Sequence, residues 1–231
     1  MNRPFTFINS AISVDGKIST IERKQIKISG TIDFDRVDEL RANSDAIMVG
    51  IGTMLADDPS LTVKSKNRRD ARKQKGYREN PIRIVVDSKA RTPIDADIFK
   101  KGEGEKIIAV SKLAPIEKIN LLKEKATVIV AGETQVNLIK LIEQLKSMGV
   151  NQLMVEGGAG LNFAMLSQGL VDEIYTFIGN IIIGGSLSPS LSDGAGFLEQ
   201  EILNLKLKSF NQMDDGILIE WTVENKHHEH S

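Results

Sequence analysis

LMVEGGAG, residues 153–160, carries a short apolar run into one acid and then three glycines among four residues. This is the composition of a buried strand that stops at the carboxyl edge of a sheet and turns where its backbone must come close to a ligand. Glycine has no Cβ and tolerates positive φ, which allows that approach. The next segment, LNFAMLSQGL, is apolar at helical spacing through Leu161, Ala164, Met165, Leu166 and Leu170, so the loop opens a helix. Free N–H groups and the positive dipole end of a helix start favour an anion, and the first expectation is a phosphate-bearing ligand at the strand tip. The spacing is not the dinucleotide fingerprint, because no glycine follows Gly160 at the third place. A purely structural turn is the alternative.

Outward from this turn, the same theme recurs. A first strand is expected over residues 4–14, ending at Asp15-Gly16, and DFDRVDELRAN (33–43) reads as a charged helix capped by Thr31 or Asp33. AIMVGIG (46–52), IRIVVDS (82–88), KIIAV (106–110) and TVIVA (127–131) are short apolar runs, with helical periodicity over 115–125 and 134–148. Continuous apolar strands alternating with helices imply an α/β fold, with a mostly parallel central sheet flanked by helices. Beyond residue 170 the strands EIYTFIGNIIIGG, LKLKSFNQM and GILIEWTV are separated only by turns. Antiparallel C-terminal strands are therefore expected, with Asp214-Asp215-Gly216 as their hairpin turn. A single domain over 1–224 is expected, followed by a disordered His-containing tail, 225–231.

The 231 residues are 41% hydrophobic, enough for a sizeable core, and the 30 basic and 31 acidic residues nearly balance. No net charge points to nucleic acid or membrane. The chain has no cysteine, and its three histidines all lie within the last five residues. Disulfides, thiolate chemistry and Ser–His or Cys–His hydrolysis are thereby excluded from the body of the protein. No apolar stretch reaches membrane-span length, and a soluble cytoplasmic protein is the plain expectation.

Residues 64–80, KSKNRRDARKQKGYREN, hold eight Lys or Arg against two acids. A solvated, mobile surface insertion is favoured over an RNA-binding arm, because Tyr77 alone offers aromatic stacking.

In open α/β sheets ligands bind beyond the carboxyl ends of the strands. Four such ends carry suggestive groups: NSAISVDGK (9–17), GIGTMLADDPSLTV (50–63), Asp87-Ser88, and Glu156 with its glycines. Asp57 and Asp58 raise the thought of Mg²⁺, but adjacent side chains diverge and no further acids complete a site, so no metal is expected. Together these ends favour one extended, nucleotide-like ligand.

SVDGKIS (13–19), LRANSDAIMVGIGTMLADDPSLTV (40–63), NPIRIVVDS (80–88), LMVEGGAGLN (153–162) and DEIYTFIGNIIIGG (172–185) resemble, in this order, the reductase of riboflavin biosynthesis. That family has a dihydrofolate-reductase-like fold and acts on 2,5-diamino-6-ribosylamino-4(3H)-pyrimidinone 5′-phosphate. The resemblance runs from about residue 5 to residue 222 and looks like the stand-alone type rather than the form fused to a zinc deaminase. It implies NADPH as cofactor, with NADH the alternative, contacted by Thr53, Asp57 and Ser88, with Ala11 near the nicotinamide. Gly157, Gly158, Ala159 and Gly160 would hold the pyrophosphate. Ser29, Arg41, Ser60, Leu61, Lys64 and Glu156 would contact the substrate, Arg41 and Lys64 meeting its phosphate. Glu156 is the expected catalytic residue, orienting the substrate or stabilising an iminium during hydride transfer to C1′. A homodimer is implied, with the late antiparallel strands as its contact. The rival readings are the deaminated uracil substrate, a dihydrofolate reductase, and a non-enzymatic RNA-binding module.

Overall fold

Several of the apolar runs become strands with no accessible surface. In the computed structural model, which describes residues 2–24 and 26–224, Ala46–Val49, Ile107–Val110 and Leu153–Val155 are all 0% exposed. The expected tail, 225–231, lies outside the described residues. In chain order the first elements are β1 (Phe5–Ile12), α1 (Thr31–Asn43), β2 (Ala46–Gly50), α2 (Ile51–Asp57), α3 (Lys66–Gln74), β3 (Ile82–Val86), α4 (Asp97–Lys100) and β4 (Lys106–Val110). They are followed by α5 (Ile116–Lys123), β5 (Thr127–Val130), α6 (Leu138–Ser147), β6 (Gln152–Val155), α7 (Ala159–Ser167), β7 (Glu173–Ile178), β8 (Asn204–Met213) and β9 (Gly216–Glu224). No helix among the described residues is long and apolar enough to cross a membrane.

The chain forms two compact units, and the division falls within α1. The first is Asp35–Glu156 with the residues up to Pro4; the second is Phe5–Phe34 with the chain from Gly157 on.

The first unit is built on parallel strands in the order β5-β4-β3-β2-β6. Strands buried on both faces need apolar side chains at every position, which is why these runs are continuous rather than alternating. Helix α6 shows the covering layer: Leu138, Leu141, Ile142 and Leu145 recur at helical spacing and are buried. Its start is Asn137, whose side chain accepts from the Lys140 N–H at 3.0 Å, so the helix expected from residue 134 begins at 138. It ends where Gly149, at φ 91°, lets the Val150 N–H reach back to the Leu145 carbonyl.

In the second unit β1 pairs in parallel with β7, Ala11 opposite Phe177, and β7-β9-β8 continue antiparallel. Asp214-Asp215 joins β8 to β9 as expected, with Asp214 at φ 48°. The turn then does something the sequence did not announce. The Asp214 carboxylate accepts from the N–H groups of Ile32 and Asp33 at 3.2 and 3.0 Å, so it caps the start of α1 from the hairpin.

Two expected strands are shorter than their apolar runs. The run 46–52 stops at Gly50, which is the N-cap of α2. EIYTFIGNIIIGG stops at Ile178, because the Asp15 carboxylate takes the N–H groups of Ile183 and Gly184 at 3.0 and 2.7 Å.

The basic segment is also corrected. Instead of a mobile insertion it contains α3, anchored from both sides. Arg72, buried beside Tyr77, donates to the carbonyls of Ala42 (2.6 Å), Ser44 (3.0 Å) and Arg78 (3.0 Å), closing the last turn of α1. Arg68 grips Asp35 at 2.6 and 2.7 Å and reaches Asp38 at 3.1 Å. Arg69 donates to the carbonyls of Val63 and Lys64 at 2.8 and 2.6 Å. Three of the eight cations, Arg68, Arg69 and Arg72, are thus engaged by the protein itself.

Candidate active site

The turn after α2 gathers the expected substrate residues of the first unit. Leu61 holds φ 52°, uncommon for a side chain of this size, and is 1% exposed. Its neighbours are fixed from several directions. Arg83, a strand residue with no accessible surface, donates to the carbonyls of Ser60 (3.2 Å), Ile98 (3.2 Å), Lys101 (2.7 Å) and Gly102 (2.9 Å). Burial pushes its guanidinium down to about 10, against the opposing charge of Glu79, and the carbonyls replace lost water. Asn80 accepts from the Val63 N–H at 2.9 Å.

So held, the turn presents two hydroxyls to one ammonium. Ser60 Oγ and Thr62 Oγ1 lie 3.1 Å apart, and Lys64 Nζ reaches each at 3.0 Å. Asp38 of α1 accepts from the backbone N–H groups of Lys64 and Ser65, fixing where the lysine leaves the chain. Burial, then the charges of Arg41 and Lys101, lower the Lys64 pKa, while Asp38 and Asp97 oppose them. Cations crowded enough to disfavour one another are what an incoming anion relieves.

Arg41 and Glu156, 115 residues apart, meet in a bidentate pair: Nε to Oε1 at 2.6 Å and Nη2 to Oε2 at 2.7 Å. Arg41 Nη1 also donates to the Thr62 carbonyl at 3.2 Å, tying the pair to the Lys64 turn. Their side chains are only 17% and 14% exposed. Burial opposes the Arg41 charge, but the Glu156 carboxylate, with Asp38 behind it, outweighs burial and holds Arg41 above its ordinary value.

Thr53 and Asp57 lie on α2 at i and i+4 and so share one face. Ser88 follows β3, and its hydroxyl accepts from the Val136 N–H at 3.0 Å. Its neighbour Asp87 is fully buried and accepts from the N–H groups of Arg91 and Thr92 and from the Thr92 hydroxyl, which shapes the loop.

The remaining expected residues belong to the second unit. Ala11 is in β1, and Ser29, 7% exposed, precedes α1. Gly157 has φ 94°, a conformation that side chains rarely adopt, and the Gly157–Gly158 peptide is cis. Gly158 is the N-cap of α7 and supplies no side-chain acceptor, so the first N–H groups of the helix keep no cap. A Cβ on Gly160 would meet nothing within 4 Å. Asn162, 1% exposed, donates from Nδ2 to the Leu191 carbonyl at 2.8 Å, while its buried Oδ1 has no partner. An uncapped helix start behind a glycine turn suits a phosphate group, as the sequence suggested. Asn162 was not anticipated; its only sequence signal is a polar residue among apolar ones one turn into the helix. Arg83 and Asp38 were also missed, the first hidden in an apolar strand and the second in a charged helix.

The family model of the RibD C-terminal domain matches residues 4–219. The chain belongs to the RibD C-terminal domain family. Among RibD-type relatives, the 2,5-diamino-6-ribosylamino-4(3H)-pyrimidinone 5′-phosphate reductase of Archaeoglobus fulgidus is 52% identical over 198 residues, covering 86% of this chain and 90% of that protein. The riboflavin biosynthesis reductase of Saccharomyces cerevisiae superposes with a TM-score of 0.74 at 22% identity, over 97% of this chain and 91% of that one. A dihydrofolate reductase from Enterococcus faecalis reaches a TM-score of 0.51 at 8% identity, over 96% and 97% of the two chains. The RibD reductase domain is thus one form of the dihydrofolate-reductase-like fold.

Proposed function

We propose that this chain reduces the ribosyl group of 2,5-diamino-6-ribosylamino-4(3H)-pyrimidinone 5′-phosphate to the ribityl form, with NADPH as reductant, in riboflavin biosynthesis. The observation that carries the reading is the cluster of Arg41, Glu156 and Lys64 with the hydroxyls of Ser60 and Thr62: cations and hydroxyls for a phosphate beside a carboxylate for a cationic centre. Its presence in a chain 52% identical to a reductase so named supports the same substrate.

In the reaction the C1′–O4′ bond breaks as the exocyclic nitrogen forms an iminium with C1′, and O4′ takes a proton. When bound, NADPH supplies the hydride that C1′ accepts, leaving a secondary amine. Gly157, Gly158, Ala159 and Gly160 are assigned its pyrophosphate, and Thr53, Asp57, Ser88 and Ala11 further contacts. An iminium is already electrophilic, so the protein's work is orientation and exclusion of water. Glu156, held by Arg41, suits stabilising the iminium charge; Ser29 and Leu61 complete the substrate contacts.

A second copy of the chain is the proposed partner. Leu207 and Phe210 of β8 share a face with Trp221 and Ile219 of β9, and Leu207 and Phe210 are 48% and 69% exposed. Apolar surface of this kind on a terminal strand favours association. The central experiment follows NADPH oxidation with the ribosylamino-pyrimidine phosphate and weighs the product. A gain of two hydrogens is expected; no oxidation with this substrate refutes the assignment.

A further inference from the structure

Arg41 has more donors than its partners use. A guanidinium carries five N–H groups. Nε and Nη2 engage Glu156 side-on, and one Nη1 hydrogen serves the Thr62 carbonyl. One N–H on each terminal nitrogen therefore remains, and together these form the end-on fork that matches two phosphate oxygens. The same Thr62 presents its carbonyl to Arg41 and its hydroxyl to Lys64 Nζ. A dianion beside Lys64 thus has Arg41 as its second cation, and that cation already holds Glu156.

We infer that Arg41 couples the substrate's phosphate to Glu156: the dianion on the end-on fork draws guanidinium charge away from the carboxylate on the side-on fork and frees it to act on the ribosyl group. The inference rests on the function proposed above and adds to it that the phosphate activates the chemistry rather than serving as a handle. Remote binding energy spent in this way shows itself in kcat, not only in KM. Two anions sharing one cation must also weaken each other's binding by the same factor. Were Arg41 merely an orienting strut, with Lys64 alone on the phosphate, neither effect would exist.

Two measurements test this. Inorganic phosphate is titrated into the full chain and into Glu156→Gln by calorimetry. Coupling of ordinary size makes the variant bind phosphate roughly 5- to 150-fold more tightly, and the gain vanishes when Arg41→Lys is added. Equal or weaker phosphate binding by Glu156→Gln overturns the inference. In the second, the wild-type protein is given the dephosphorylated ribosylamino-pyrimidine with NADPH, and phosphite is added. A saturable rise in turnover of at least about tenfold is expected, of the kind remote binding energy produces. Phosphite that does nothing or only inhibits, or a dephosphorylated substrate that raises KM at unchanged kcat, overturns it. Failure to reduce the phosphorylated pyrimidine would instead remove the proposed function, and leaves the phosphate titration standing as a separate result.

Discussion

Asp214→Gly should uncap α1 from a position 182 residues away. The carboxylate accepts two N–H groups at the helix start, at 3.2 and 3.0 Å. Loss of a side-chain cap costs about 0.5–2 kcal/mol, and loss of a negative charge at a helix start about 0.3–1 kcal/mol. A total of about 1–3 kcal/mol lowers the melting temperature by roughly 2–12 °C in a chain of this size. Glycine is chosen because Asp214 sits at φ 48°, where alanine would add backbone strain of its own. Gly30 supplies the cross-check. A Cβ there would lie 2.4 Å from Asp214 Cγ and 2.6 and 2.7 Å from its oxygens, so Gly30→Ala must push the same carboxylate off the helix. Each single variant then loses the same cap, and the double variant loses it once. Urea unfolding of all four proteins should show losses that fail to add, with a coupling of about 1 kcal/mol or more. Additive losses, or an Asp214→Gly protein within about 0.3 kcal/mol of wild type, refute the capping argument.

Arg72→Ala leaves the carbonyls of Ala42, Ser44 and Arg78 without their donor, and should cost about 2–4 kcal/mol by urea unfolding while exposing α3 to protease; unchanged stability and cleavage would restore the mobile insertion. Asp15 is held at about 2, below its ordinary 3.8, first by the Ser13 hydroxyl and then by the Ile183 and Gly184 N–H groups, with burial opposing. A depressed folded-state value means that its stabilisation is complete above about pH 4 and is lost as pH falls toward 2. Asp15→Asn should therefore flatten that limb of an acid titration followed by circular dichroism, and an unaltered limb removes Asp15 as its source. Asp57→Ala should weaken NADPH binding on the order of tenfold, about 1.4 kcal/mol, without loss of fold; unchanged affinity in a fluorescence titration takes Asp57 out of the cofactor site.

The parts of this molecule legible in its sequence are those written in local pattern. Parallel strands buried on both faces announce themselves as runs such as Ala46–Val49, and a two-residue hairpin as Asp-Asp-Gly. The glycine turn and its helix were legible for the same reason, since one conformation and one periodicity suffice to recognise them. What stayed hidden depends on partners far along the chain. Arg83 looks like an intruder in an apolar strand until four carbonyls surround its guanidinium. Residues 64–80 look solvated because charge counting is blind to carbonyl acceptors such as those of Ala42 and Ser44. The candidate substrate residues Arg41 and Glu156 were each anticipated, but nothing local to either one indicates the ion pair between them.

The two units differ in how they are threaded. One is drawn almost wholly from a continuous stretch, Asp35–Glu156, whereas the other needs both ends of the chain. β1 takes its parallel partner from β7, more than 160 residues later, and α1 takes its cap from the hairpin beyond that. During synthesis on a ribosome, the continuous unit can finish while β1 still waits for β7. Contacts of such long separation are slow to form because the intervening loop must close first. β1 is therefore among the last strands to be secured, and until β7 arrives its open edge is a stretch in need of protection from aggregation.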